Sequence, residues 1–268
     1  MSRVTLASGL TLSYTQQGEA SDPALLLVPG PTDSWRSYQS VLDLLPQEIR
    51  AVSVSQRGHG DSDKPDRGYA VADFASDVVL LLDALAIERA VLAGHSGSCL
   101  VARRVALDHP NRVAGLILEA SPTSLRDHPL LIGFVQSVVS DLDDPITAEF
   151  ARSFVADTSS GNVSPGLVDL LVEELVKVPA RVWKQTLAGL LQYDDTVELA
   201  LIAAPTLLIW GDTDVVVSRD MQDCLAGSIH DVELIVYDGV GHTPRWEDPA
   251  RFSSDLATFV RRVARTQV

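Results

Sequence analysis

A chain of 268 residues, 46% hydrophobic and 21% charged, carries enough apolar material for a packed core, as one large domain or two ordinary ones, and excludes wholesale disorder. Its 21 basic and 36 acidic residues leave a formal charge of −15, so a phosphate backbone or an anionic membrane meets a repelling field, and neither nucleic acid nor membrane is an expected partner. Two cysteines, Cys99 and Cys224, make no disulfide framework and fit a reducing, cytoplasmic setting.

In chain order, the first nine residues lack a continuous apolar stretch, which predicts no signal peptide. Residues 9–16 alternate Leu10, Leu12 and Tyr14 and predict an antiparallel hairpin arm. Apolar runs at 24–28, 51–55, 90–93, 113–118, 205–210 and 232–237 read as strands covered on both faces, as in parallel sheets. Helical patterns at 71–86, 99–108, 219–226 and 249–263 lie between or after them. This alternation predicts an α/β fold with a mostly parallel sheet and right-handed crossovers. From Pro122 to Ala200 the pattern stays helical with no convincing strand, which is long for one crossover. The expected organisation is a core domain of residues 1–121 and 201–268, with a helical cap of residues 122–200 inserted after the sixth strand. An ordinary set of outer helices is the competing reading.

In open parallel sheets, ligands bind beyond the carboxyl ends of the strands, so reactive residues directly after strands are informative. Gly94-His95-Ser96-Gly97-Ser98 stands between a predicted strand and a predicted helix. A nucleophile on so sharp a turn needs small residues two positions to either side, and the helix start offers free N–H groups to an oxyanion. Asp214 follows the strand at 205–210, and His242 follows the strand at 232–237. A serine hydroxyl is a weak nucleophile until a base takes its proton, and the base needs a carboxylate to orient it. Ser96, Asp214 and His242 supply these parts from three strand ends. Asp212 competes with Asp214 for the carboxylate role, and Glu119 and Asp127 are further candidate acids. No two of the six histidines lie four apart, so no metal pair, metal or cofactor is expected.

The segments Val28-Pro29-Gly30-Pro31-Thr32-Asp33-Ser34-Trp35, Gln56-Arg57-Gly58-His59-Gly60-Asp61-Ser62, 94–98, 210–214 and Gly241-His242 resemble, in order and spacing, those of the α/β-hydrolase superfamily. The resemblance covers nearly the whole chain. It implies an α/β-hydrolase fold with an eight-stranded sheet, a helical cap, and catalytic Ser96, Asp214 and His242. It is nearest to the esterase, epoxide-hydrolase and dehalogenase-like branch, but serine at 96 argues against the two chemistries that need a carboxylate nucleophile. Two departures stand out. Pro31 occupies the slot whose backbone N–H serves the oxyanion hole in relatives, and proline has no N–H. Thr32, through its N–H or hydroxyl, is the candidate substitute, with Gly97 N–H as the second donor. Ser98 stands where glycine is usual, with its hydroxyl expected against the helix start. Trp35, His95, Glu119, Phe134 and Trp183 are candidate pocket residues, though for Trp35, His95 and the cap aromatics a packing role competes; His128 in the cap faces either substrate or solvent.

The expected function is a serine hydrolase acting on a small, mostly apolar ester or lactone through an acyl-enzyme, as a monomer or homodimer. A hydrolase-fold ligand sensor is the alternative, kept open by Pro31. A dinucleotide-dependent oxidoreductase is a remote one: Glu119 lies about as far beyond the glycine turn as that fingerprint requires, but its second and third glycines are missing.

Overall fold

The computed structural model describes residues 1–18 and 23–266. Its strands are β1 (Ser2–Thr5), β2 (Thr11–Gln17), β3 (Ala24–Val28), β4 (Ala51–Val54), β5 (Ala90–His95), β6 (Val113–Glu119), β7 (Thr206–Gly211) and β8 (Val232–Tyr237). They form one eight-stranded sheet in the order β1-β2-β4-β3-β5-β6-β7-β8. β1 and β2 pair antiparallel, as do β2 and β4, and every later pairing is parallel. The expected hairpin arm is therefore present. Its first strand, Ser-Arg-Val-Thr, is too short and polar to have stood out.

Helices cover both faces: α1 (Gln39–Leu42), α2 (Val71–Ala84), α3 (Ser98–Asp108), α4 (Pro129–Ser137), α5 (Ala148–Asp157), α6 (Pro165–Leu175), α7 (Ala180–Gln192), α8 (Arg219–Ser228), α9 (Pro244–Glu247) and α10 (Pro249–Thr266). Side chains alternate along each strand, so the uniformly apolar runs split by parity. Leu26, Val28, Leu92, Leu116 and Leu118 join the core that α2, α3 and α7 cover. Leu25, Leu27, Val91, Ala93 and Ile117 join a second core with Phe252, Leu256 and Phe259 of α10. β8 departs from the expectation of burial on both faces. It is the edge strand, Glu233 is exposed, and most of its residues are only half-buried.

Between β6 and β7 the described chain runs through α4 to α7 with no strand. The side chains of His128, Thr147 and Ser164 accept the backbone N–H groups of Leu131, Phe150 and Leu167 at the starts of α4, α5 and α6. Phe134, Phe150, Phe154 and Trp183 pack on one another, with ring centroids 5.0–6.5 Å apart in the contacting pairs. Among the described residues no helix is long and apolar enough to cross a membrane.

One side chain holds both stems of this helical excursion. Arg103 of α3 is fully buried and donates through Nε and Nη2 to the Asp195 carboxylate, where the excursion returns. It also donates to the carbonyl oxygens of Pro122 at 2.8 Å and Thr123 at 2.9 Å, where the excursion leaves. Removing one partner of a buried pair strands the other charge, which costs about 3–5 kcal/mol. Asp195→Ala is therefore expected to lower the unfolding free energy by about that amount in urea titration.

Candidate active site

β5 ends at His95 and α3 starts at Ser98, so Ser96 sits on a two-residue turn. Its φ of 53° lies in the left-handed region, which L-residues enter at a cost of about 1–2 kcal/mol. Two hydrogen bonds hold it there: Ser96 N–H donates to Glu119 O at 2.9 Å, and Ser96 O accepts from Cys99 N at 2.9 Å. The need for a small residue at 94 is direct, since a Cβ there would meet Ser98 O at 2.7 Å. The Ser98 hydroxyl departs from its expected place at the helix start. It donates to Pro29 O at 2.6 Å and accepts from Gln56 Nε2 at 3.0 Å, tying the Ser96 turn to the loops after β3 and β4.

Ser96, His242 and Asp214 form one hydrogen-bonded chain. Ser96 Oγ lies 2.9 Å from His242 Nε2, and His242 Nδ1 lies 2.8 Å from Asp214 Oδ2. Asp214 has no exposed side-chain surface, and its other oxygen accepts the N–H groups of Val216 at 2.8 Å and Val217 at 2.9 Å. A carboxylate so held requires the proton on Nδ1, which leaves the Nε2 lone pair facing the serine hydroxyl. Asp212 instead accepts from Gly239 N at 2.6 Å, and Asp127 is exposed, so neither competes for the imidazole.

The loop after β3 makes a tight turn in which Asp33 N–H donates to Gly30 O at 3.1 Å, with Pro31 and Thr32 at its centre. Thr32 has a φ of 77°, a place glycine usually takes, and is almost fully buried. Neither its N–H nor its Oγ1 has a hydrogen-bond partner among the described residues, and the same holds for Gly97 N–H. The two loops abut, because a Cβ on Gly97 would stand 2.9 Å from Pro31 Cγ and 2.7 Å from Leu190 Cδ1 of α7. Free donors on Gly97 and Thr32 thus flank an apolar contact beside Ser96.

A cleft of about 430 Å³ borders His242. Its walls include Thr158, Ser159 and Ser160 after α5, with Thr213 and Gly241 from the loops that carry Asp214 and His242. Glu247 pins that wall, accepting from Gly241 N at 3.1 Å and Ser160 N at 3.2 Å.

None of the predicted pocket residues lines this cleft. Trp35 is buried in the second core, on the α10 side of the sheet, with its backbone N–H donating to Ser55 Oγ. His95 is buried with its ring 4.9 Å from that of His242, and its Nε2–H donates to His242 O at 3.0 Å. Burial, with Arg245 and His242 close by, holds its imidazole well below the usual histidine range, so it packs as a neutral support. Glu119 is fully buried and hydrogen-bonded to Arg245 and Tyr38, neither a solvated strand end nor an acid bonded to His242. Trp183 is fully buried, and half-buried Phe134 stacks on Phe154, because aromatic residues in a helical segment serve its own packing first. His128 faces neither substrate nor solvent: its Nδ1 caps α4, and its Nε2 bonds Val216 O at 2.9 Å. His59 is buried and structural, with Nδ1 on Arg57 O at 2.7 Å. No three His, Cys, Asp or Glu side chains group for a metal ion among the described residues. The sequence reading missed Arg245 and Asp33. Their one signal was charge within otherwise apolar or glycine-rich motifs.

A family model described as alpha/beta hydrolase fold matches residues 23–249. The chain is 30% identical over 260 residues to a putative carbamate hydrolase of Variovorax paradoxus, covering 95% of this chain and 98% of that protein. It is 28% identical over 278 residues to a non-heme chloroperoxidase of Streptomyces lividans, covering 97% and 100%. A solved N-acyl homoserine lactone degrading enzyme superposes with a TM-score of 0.82 at 26% identity, covering 96% of this chain and 100% of that one.

Thr32 combines left-handed strain with a buried, unpartnered hydroxyl. Glycine removes both and loses part of the gain to the entropy of the unfolded chain. Thr32→Gly is expected to raise the unfolding free energy by about 1 kcal/mol, read from the denaturation midpoint at unchanged slope.

Proposed function

Since the chain belongs to the α/β-hydrolase family, we propose that it is a serine hydrolase cleaving a small, mostly apolar ester or lactone through an acyl-enzyme. The observation that carries this reading is the chain of hydrogen bonds from Ser96 through His242 to Asp214. The apolar contact of Pro31 and Leu190 against Gly97 supports an apolar group beside the scissile bond. Carbamate hydrolase and lactone-degrading enzyme, the names of two relatives, both denote attack at an acyl carbon.

In this scheme Ser96 Oγ attacks the carbonyl carbon while His242 Nε2 takes its proton. Asp214 stabilises the resulting imidazolium and keeps the ring in register. The tetrahedral oxyanion is held by Gly97 N–H and by Thr32, whose N–H or hydroxyl replaces the donor that Pro31 lacks. One such donor supplies about 2.7–4 kcal/mol of transition-state stabilisation, so a site without the replacement is nearly disarmed. Collapse breaks the carbonyl-carbon to leaving-oxygen bond, and His242 returns the proton to the leaving alcohol. Water then attacks the acyl-enzyme by the same steps in reverse order and frees Ser96. The excursion of α4 to α7 acts as the cap over the site, with Leu190 of α7 against Gly97.

One observation favours a second reading, a ligand sensor with little turnover. Pro31 removes the usual oxyanion donor and, with Leu190, crowds Gly97. A fluorophosphonate probe separates the two readings without knowledge of the substrate. The hydrolase reading expects a single covalent adduct by intact mass, absent in Ser96→Ala. A folded protein that takes no adduct, yet gains thermal stability from small apolar ligands, is the outcome expected of the sensor.

A further inference from the structure

A buried charged cluster close to His242 is left unused by this scheme. Arg245 comes three residues after His242, in α9, and has no exposed surface. Its Nη2 donates to Asp33 Oδ2 at 2.6 Å. Its Nη1, at 3.3 Å, and its backbone N–H, at 3.0 Å, both donate to Glu119 Oε1. The Tyr38 hydroxyl donates to the other Glu119 oxygen at 3.3 Å. The guanidinium lies 4.4 Å from the ring of Trp246 and 5.2 Å from that of Tyr38.

The placement of the three charges carries the argument. Asp33 directly follows Thr32 and closes its turn onto Gly30. Glu119 ends β6, and its carbonyl is the acceptor that fixes Ser96 N–H at 2.9 Å. Arg245 continues the loop that carries His242. One guanidinium therefore links the loop of Thr32, the strand end whose carbonyl holds Ser96 N–H, and the short helix that follows His242. As a source of stability the cluster is a poor device. Burying two carboxyl groups and a guanidinium away from water is costly, and apolar side chains of similar volume fill such a space at least as well. What a planar, forked cation does better is fix the distance and angle between two carboxylates.

We propose that Arg245 is a positioning residue. Through Asp33 and Glu119 it sets the spacing of Thr32, Ser96 and His242 during acyl transfer. This rests on the serine-hydrolase reading.

The test compares the wild-type chain, Glu119→Gln, and the triple variant Asp33→Asn/Glu119→Gln/Arg245→Met, in which no charge is left buried and unpaired. Glu119→Gln keeps an oxygen for the Arg245 N–H but loses the charge. Ester hydrolysis and the rate of Ser96 phosphonylation are read beside the unfolding midpoint. Misplacement by a fraction of an ångström predicts a fall in kcat of about tenfold or more, with KM within about twofold, and a parallel fall in phosphonylation rate. The triple variant is expected to keep a midpoint near that of the wild type. A folded triple variant with wild-type kcat and phosphonylation rate overturns the proposal, as does an effect confined to KM. Should the triple variant fail to fold, Glu119→Gln alone decides on the same criteria. A wild-type chain unreactive at Ser96 refutes the hydrolase reading itself, which separates that failure from a failure of Arg245's role.

Discussion

The hydrogen bond from Ser96 N–H to the Glu119 carbonyl joins the end of β5 to the end of β6 and holds a serine in a backbone conformation it would not choose alone. Most of the local architecture answers to that constraint. Gly94 is bare because the turn brings Ser98 O to where its Cβ would be. Ser98 is small enough to sit inside the turn and polar enough to bond Pro29. Strain of this kind persists only where the surroundings over-determine it. Here the surroundings are two fully buried strands and the first turn of α3.

The polar groups beneath the site follow a consistent logic. His95 is kept neutral by burial and supports the backbone of His242. Burial pushes the Asp33 carboxyl up to about 6 and raises that of Glu119, in both cases against the pull of Arg245. Asp214 differs in kind, since two backbone N–H groups and an imidazole satisfy it without any cation. The interior thus separates a carboxylate that faces an imidazole from carboxylates that face an arginine.

The sheet and the sharp turn at Ser96 were readable in the chain because their causes are local. Strands β3, β5 and β6 are continuous apolar runs since both of their faces are covered, and a serine flanked by small residues directly after such a run marks a sharp strand-to-helix turn. That Ser96, Asp214 and His242 stand together follows from parallel strands, whose ends lie on one edge. Whether the aromatic residues pack or line a pocket was not readable. Trp35, Phe134 and Trp183 have the composition of a cleft wall and of a core alike, and only packing partners decide between them. Arg245 was invisible for the opposite reason. Its partner Asp33 lies 212 residues away in sequence, and an arginine beside Glu247 and Asp248 reads as surface until the fold buries it.

Arg103 gives the helical excursion a fixed mouth. Both stems are bound to one guanidinium on α3, the helix that follows the Ser96 turn. A loop whose ends are already held together gains length at a small and slowly growing entropic cost. What lies between the stems can therefore be lengthened, shortened or repacked while the sheet and the Ser96 turn keep their geometry. Sequence change is then free to accumulate in α4 to α7, and an exchange of that segment between related chains would have natural cut points at Thr123 and Asp195.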